Sequence, residues 1–293
     1  MILNNFLKKA LKEKWSLGHF NVASFEQIKA IILAAKELNS PLMLGVSEGE
    51  REYLGLKQIV ALIKSFREET GLPLFLNADH SKSVESAKKA IDAGFDSVHI
   101  DLSKLSFEEN IKGTKEVVKY AKVKCQTSDV KCQISVEGEL GYLRGESRIQ
   151  KEIIEIKEED LTKPEKALEF VEKTGIDRFA PVVGNIHGIS ANEPKLDIER
   201  IKALRKILPE NVALVLHGGS GIPDEQIKKA IEAGISNIHI NTEIRVVYAE
   251  TLRRVLAENP EETTPYKILP QTIEAMKEKV AEKIKLFGSE DKI

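Results

Sequence analysis

Two stretches of this 293-residue chain repeat each other: Lys88–Asp101 reads KKAIDAGFDSVHID, and Lys228–Asn241 reads KKAIEAGISNIHIN. Eight of the fourteen positions are identical, at an offset of 140. Each copy runs from an amphipathic helix through an Ala-Gly helix end into a short strand carrying His-Ile. Each is preceded by a strand that ends in histidine, His80 or His217. An offset of four βα units is what two related half-barrels produce. The matched His-Ile after the matched Ala-Gly argues against chance likeness of two amphipathic helices.

Outward from the repeat, short apolar runs alternate with helical stretches. The runs cover 17–22, 41–46, 73–78, 97–102, 133–140, 178–184, 212–216 and 237–241. Between them lie helical patterns such as 26–38, 56–69, 84–93, 164–173 and 224–233. Ser24 with Gln27 forms a capping box, and Gly94, Gly175 and Gly234 stand where C-terminal caps belong. Eight strand–helix units predict an α/β fold, a (β/α)8 TIM barrel occupying 1–293 as one domain. A doubly wound sheet is the rival, but no Gly-x-Gly-x-x-Gly follows the first strand. An extra N-terminal helix places Leu3, Phe6, Leu7, Ala10 and Leu11 at helical spacing. The charge-rich stretch 145–163 reads equally as a lid or as a solvated surface segment with a short helix, and 270–287 reads as a final helix.

Composition narrows the class. Apolar residues are 42% and charged residues 31%, which argues against disorder. Lys+Arg 44 against Asp+Glu 46 leaves −2, so no basic excess recruits nucleic acid or an anionic membrane. No apolar run approaches the roughly 18 residues of a membrane span, and Lys8, Lys9, Lys12 and Lys14 interrupt any leader-like core. Cys125 and Cys132 are expected to be free thiols in a reducing, cytoplasmic setting.

All six histidines fall in or at the ends of predicted strands: His19, His80, His99, His187, His217 and His239. His80, His187 and His217 end the third, sixth and seventh apolar runs, each before a small residue. In a barrel the strand C-terminal ends carry chemistry. Three neutral imidazoles converging there would bind a divalent transition metal and leave room for substrate; a hydrogen-bonded structural role is the alternative. Alternation along the strands turns His99, Asp101, Glu137, Glu139, Asn77, Asp79, His239 and Asn241 inward. Buried acids need partners, either a metal or an inward ion-pair network. Asp79, beside His80, could orient that ligand or transfer a proton. The turn His217-Gly218-Gly219-Ser220-Gly221 before a helix suits an oxyanion, hence a phosphorylated substrate.

These residues resemble the class II, metal-dependent fructose-bisphosphate (ketose-bisphosphate) aldolases. The likeness rests on GHFNV at 18–22, PLMLGVSEG at 41–49, ADH at 78–80, VHIDLS at 98–103, VEGELG at 136–141, GNIHG at 184–188, PKLDIERI at 194–201, LVLHGGSG at 214–221, NTEIR at 241–245 and KIKLFGS at 283–289. The resemblance implies catalytic Zn2+ on His80, His187 and His217, a homodimer or homotetramer, and a small sugar-phosphate substrate. It implies that Asp79 handles the C4 hydroxyl proton, that a lid acid, Glu146, exchanges the proton at the nucleophilic carbon, and that zinc stabilises the ene-diolate. Asn21, Ser47, Asn241, Thr242 and Arg245 match positions near substrate. Gly188, Gly218 and Ser220 match a phosphate cradle with a monovalent cation, Na+ or K+. Asp101 and Glu139 match a zinc-proximal or second metal position. The implied reaction is cleavage of fructose 1,6-bisphosphate to dihydroxyacetone phosphate and glyceraldehyde 3-phosphate.

Departures leave tagatose bisphosphate, another sugar-phosphate lyase or epimerase, and a non-catalytic sugar-phosphate-binding barrel as alternatives. His239 stands for the family's Asn, Asn241 for an Asp, Ala191 for a Lys, and one glycine of the pair before Glu146 is missing. A Schiff-base aldolase lacks its lysine on 178–187, and an amidohydrolase would open with His-x-His.

Overall fold

In a computed structural model of the chain, which describes residues 1–127, 133–192 and 195–293, the eight expected strands close into a parallel barrel. They are β1 (Leu17–Asn21), β2 (Leu42–Val46), β3 (Leu74–Ser81), β4 (Ser97–Ile100), β5 (Ser135–Leu140), β7 (Arg178–Pro181), β9 (Ala213–Leu216) and β10 (Ile235–Ile240). β10 closes on β1 with Leu17 opposite Asn237 and His19 opposite His239. Two further strands, β6 (Gly145–Ile149) and β8 (His187–Ile189), pair with each other outside the barrel. The 145–163 stretch is therefore a strand followed by a short 3-10 turn at Glu158–Asp160.

Helices follow the strands and pack their apolar stripes on the sheet. α2 (Phe25–Glu37) starts at Ser24, whose side chain accepts from the Gln27 N–H at 3.4 Å. β2 is followed by two helices, α3 (Glu48–Leu54) and α4 (Leu56–Thr70). α5 (Val84–Ala93), α6 (Phe107–Gln126), α7 (Pro164–Thr174), α8 (Ile198–Ile207), α9 (Asp224–Ala233) and α10 (Thr242–Glu258) cover the rest, with α11 (Pro265–Ile268) and α12 (Pro270–Leu286) last. Gly94, Gly175 and Gly234 cap α5, α7 and α9 with positive φ, as their spacing predicts. Alternation sorts the strand faces. Val98, Ile100, Ile238 and Ile240 enter the main core with the helices. Gly138 faces that layer closely enough that a Cβ there would meet Phe170 Cε1 at 2.8 Å.

The N-terminal helix α1 (Leu3–Glu13) stoppers the barrel's N-terminal end. Leu3, Leu7 and Ala10 join Trp15, Leu17, Met43, Phe75 and Ala213 in a separate apolar cluster. Burial at roughly 25 cal/mol per Å2 makes this end stability, and leaves the opposite end for polar residues. Cys125, on the last turn of α6, is disulfide-bonded, which corrects the expectation of a free thiol there; Cys132 lies outside the described residues. Among the described residues no helix is long and apolar enough to cross a membrane.

Candidate active site

A cleft opens at the C-terminal ends of the barrel strands, where the backbone leaves the ladder and side chains converge. β1 brings Asn21, the loop after β2 brings Ser47, and β3 brings Asp79 and His80. β8 brings His187 and Gly188, and the turn after β9 brings His217, Gly218 and Ser220. Asn241, Thr242 and Arg245, at the start of α10, close the ring. Glu50, Ser147 and His239 line the cleft as well. Asp101 and Glu139 lie behind the His80 ring instead, with Asp101 Oδ2 2.9 Å and Glu139 Oε2 4.0 Å from its Nδ1. Glu146 is not brought in: its carboxylate is 71% exposed and pairs with Arg148 at 3.0 Å.

His80 and His217 meet: with Asp79 and His99 they offer ligand atoms all within 4.8 Å of one another, and His187 borders this group without joining it. Ring centroids lie 5.0 Å apart for His80–His187, 4.8 Å for His80–His217 and 6.3 Å for His187–His217. With Zn–N bonds of about 2.1 Å, tetrahedral imidazoles place their centroids roughly 5 Å apart. His80 and His217 each commit one ring nitrogen to a carboxylate, which leaves the other for a cation: Nδ1 of His80 to Asp101, and Nε2 of His217 to Glu137 Oε1 at 2.6 Å. His187 arrives differently from expectation. β7 stops at Pro181, and His187 sits in β8, held through Gly145 of β6 rather than by the barrel ladder.

Beneath the mouth lies a polar layer. Arg178 is fully buried, pairs with Glu137 at 2.6 Å, donates to Asn77 Oδ1 at 2.9 Å, and also bonds Ser97 and Asn237. The ion-pair alternative thus holds for Glu137. Asp79, Asp101 and Glu139 have no such cation and face imidazoles instead: Asp79 Oδ1 lies 3.6 Å from His239 Nδ1 and 3.7 Å from His99 Nδ1, and Glu139 Oε2 lies 3.4 Å from His99 Nε2, none of them in hydrogen-bond geometry. Burial and the adjacent Asp101 push the Glu139 carboxyl up. Asp79 is held well below the usual carboxylate range: burial opposes this, but His80 prevails, joined by His239 and His99. Orphaned acid and imidazole atoms beside ready nitrogen donors fit a divalent, borderline-soft cation such as zinc.

Burial lowers the His187, His217 and His239 pKa values to about 3. An unfolded histidine titrates near 6.5, so between about 3 and 6.5 the unfolded chain binds more protons and stability rises with pH. His99 and His80 are raised, as neighbouring carboxylates outweigh their burial, and the stability they add is lost only above about pH 6.5, outside this window. In metal-free protein the denaturant midpoint should therefore fall between about pH 6.5 and 4.5, above most carboxylate titration, and His239→Asn should flatten that fall. A midpoint level across the window in both proteins would contradict buried neutral imidazoles.

The family model described as "Fructose-bisphosphate aldolase class-II" matches residues 2–292. The chain belongs to the class II fructose-bisphosphate aldolase family. This aldolase is 39% identical over 293 residues to the fructose-bisphosphate aldolase of Geobacillus stearothermophilus, covering 99% of this chain and 97% of that protein. It is 38% identical over 287 residues to a sulfofructosephosphate aldolase of Alkalicoccus urumqiensis, covering 98% and 96%. Among solved structures, the YdjI aldolase of Escherichia coli K12 superposes with a TM-score of 0.83 at 33% identity, covering 99% and 98%. The enzyme is a lyase of a zinc-dependent family. The aldolase's sequence flagged Glu137 as inward and His239 as a departure, but not the Glu137–His217 pair across the barrel, nor Glu50. Both depend on side chains 80 and 29 positions from their partners.

Proposed function

We propose that this aldolase cleaves fructose 1,6-bisphosphate into two triose phosphates at the cleft, with zinc on His80, His187 and His217. The observation that carries the reading is His80 and His217 meeting beside Asp79, with the His187 ring 5.0 Å from that of His80. A zinc ion held there supplies Lewis-acid polarisation of the ketone carbonyl. The chain supplies the rest. Asp79 lines the cleft with Oδ2 accepting from Asn21 Nδ2 at 3.0 Å, which fixes the carboxylate that takes the C4 hydroxyl proton as C3–C4 breaks. Its low pKa keeps it ionised for that step.

Anion binding is distributed between two places. Gly188 and Gly218 have φ of 87° and 63°, and a Cβ at Gly218 would lie 1.9 Å from the Ile186 carbonyl oxygen, so glycine alone passes there. With Ser220 and the N-terminus of α10 they suit the ketone-side phosphate, and the resemblance extends to a Na+ or K+ beside them. Asp101 and Glu139 suit a second cation position against His80. Arg245 reaches from α10 to the Ser147 carbonyl at 2.7 Å, and the cleft continues past it to Arg148 and Arg253, which suit the distal anion. Those arginines accept a sulfonate as readily as a phosphate. A panel of fructose bisphosphate, tagatose bisphosphate and sulfofructose phosphate therefore ranks the substrates. A homodimer or homotetramer in the cytoplasm completes the proposal.

Triose phosphate release should vanish on treatment with a zinc chelator, return with added zinc, and survive borohydride. Activity that persists through chelation rejects the reading. Glu146 reaches substrate only if β6 turns its carboxylate inward, a lid motion. Glu146→Ala should then slow proton exchange at dihydroxyacetone phosphate more than it weakens binding; an unaltered exchange rate assigns the step to another group.

A further inference from the structure

α3 interrupts the regular strand–helix alternation, and two adjacent residues on it reach the Asp79–His80 pair from different sides. Glu50 Oε2 accepts from Asn21 Nδ2 at 3.1 Å, and that same amide donates to Asp79 Oδ2 at 3.0 Å. Glu50 is itself fixed by the Ser47 N–H at 2.6 Å. Arg51 is 5% exposed. Its guanidinium donates to the carbonyls of Val46 at 2.9 Å and Asp79 at 3.1 Å, and to the hydroxyls of Ser81 and Ser86 at 3.2 Å each. One side chain thus ties the end of β2, the end of β3 and the start of α5 together.

The tie falls where the sheet lets go. β2 pairs with β3 only as far as Ala78, and the β3–β4 register shifts between Ala78 and Ser81. Asp79 and His80 therefore sit in a gap between ladder hydrogen bonds. His80 has φ of 44°, a left-handed conformation that a residue with a Cβ keeps only when its surroundings over-determine it. Arg51 grips the carbonyl just before this residue and the hydroxyl just after it.

We infer that α3 is the positioning element of the active site. Arg51 holds the Asp79–His80 backbone so that His80 turns to the metal and Asp79 to the substrate, while Glu50, through Asn21, sets the Asp79 carboxylate. Both are positioning residues rather than catalytic ones, and the inference rests on the reading of His80 as ligand and Asp79 as proton acceptor.

Cobalt-substituted enzyme tests this, since its visible spectrum reports ligand geometry. Arg51→Met should shift that spectrum, weaken metal binding about tenfold and lower kcat at least tenfold with KM within about threefold; Arg51→Lys should recover part of each. Glu50→Gln should lower kcat severalfold with an unaltered cobalt spectrum, because it reaches Asp79 through Asn21 and has no contact with His80. Arg51→Met with a lower Tm but native spectrum, metal affinity and kcat would overturn the proposal. If Arg51→Met does not fold, Ser81→Ala/Ser86→Ala removes two of the four bonds with the buried charge in place. A smaller change in the same direction supports the proposal, and none overturns it. Failure of the underlying reading looks different: His80→Ala would then keep the wild-type cobalt spectrum.

Discussion

Asp79→Ala lowers kcat for fructose bisphosphate cleavage by about 10²–10⁴-fold, the usual contribution of a positioned acid–base group. The size follows from how completely Asp79 is prepared. One carboxylate oxygen accepts from Asn21, the other faces His239 and His99 at 3.6 and 3.7 Å, and the surrounding imidazoles hold the group ionised. The neighbouring carboxylates are already engaged, Asp101 with His80, Glu139 with His99, and Glu50 with Asn21 and the Ser47 N–H. Steady-state cleavage assays with zinc content measured alongside separate loss of proton transfer from loss of metal. Asp79→Asn keeps the shape and should lose nearly as much, since an amide cannot accept the proton. Turnover within about threefold of wild type, with metal bound, would remove Asp79 from the mechanism.

Glu137→Leu destabilises the protein by about 3–5 kcal/mol, because it leaves Arg178 as an uncompensated buried charge. Both side chains of this pair are fully buried. Arg178 keeps Asn77, Ser97 and Asn237, which are polar but neutral and do not balance the guanidinium. The substitution also strips His217 of its carboxylate partner, so zinc affinity should fall about 10–100-fold. Urea midpoints at constant m, with metal-binding titrations, measure the two effects. Glu137→Leu/Arg178→Met should recover much of the stability, since apolar replacement of a buried pair is often neutral, but none of the lost metal affinity. Recovery of both together would mean that Glu137 does not act on His217.

The barrel was legible because its signals are local. A helix-to-strand repeat, glycine caps and strand alternation concern residues a few positions apart, and the structure keeps Gly94, Gly175 and Gly234 as caps and His99 and His239 as inward residues. The histidines of the candidate metal site were legible for a related reason: imidazoles placed before small residues mark where a strand meets its loop. His187 shows the limit. The spacing put it at a barrel strand's end, whereas it lies in β8, a strand that exists only because β6 comes to pair with it.

Composition and periodicity thus decided that this chain is a (β/α)8 barrel with polar residues gathered at one end, since hydrophobic period and helix capping act over a single turn or strand. Folding decided which of those polar residues touch. Asp101 behind His80, Glu137 bridging His217 and Arg178, and Arg51 gripping the gap at Asp79 all depend on closing the barrel, and the outward turn of Glu146 on the separate β6–β8 pairing. Closure brings side chains 21 to 80 positions apart within hydrogen-bonding distance in a medium where an unpaired charge is costly.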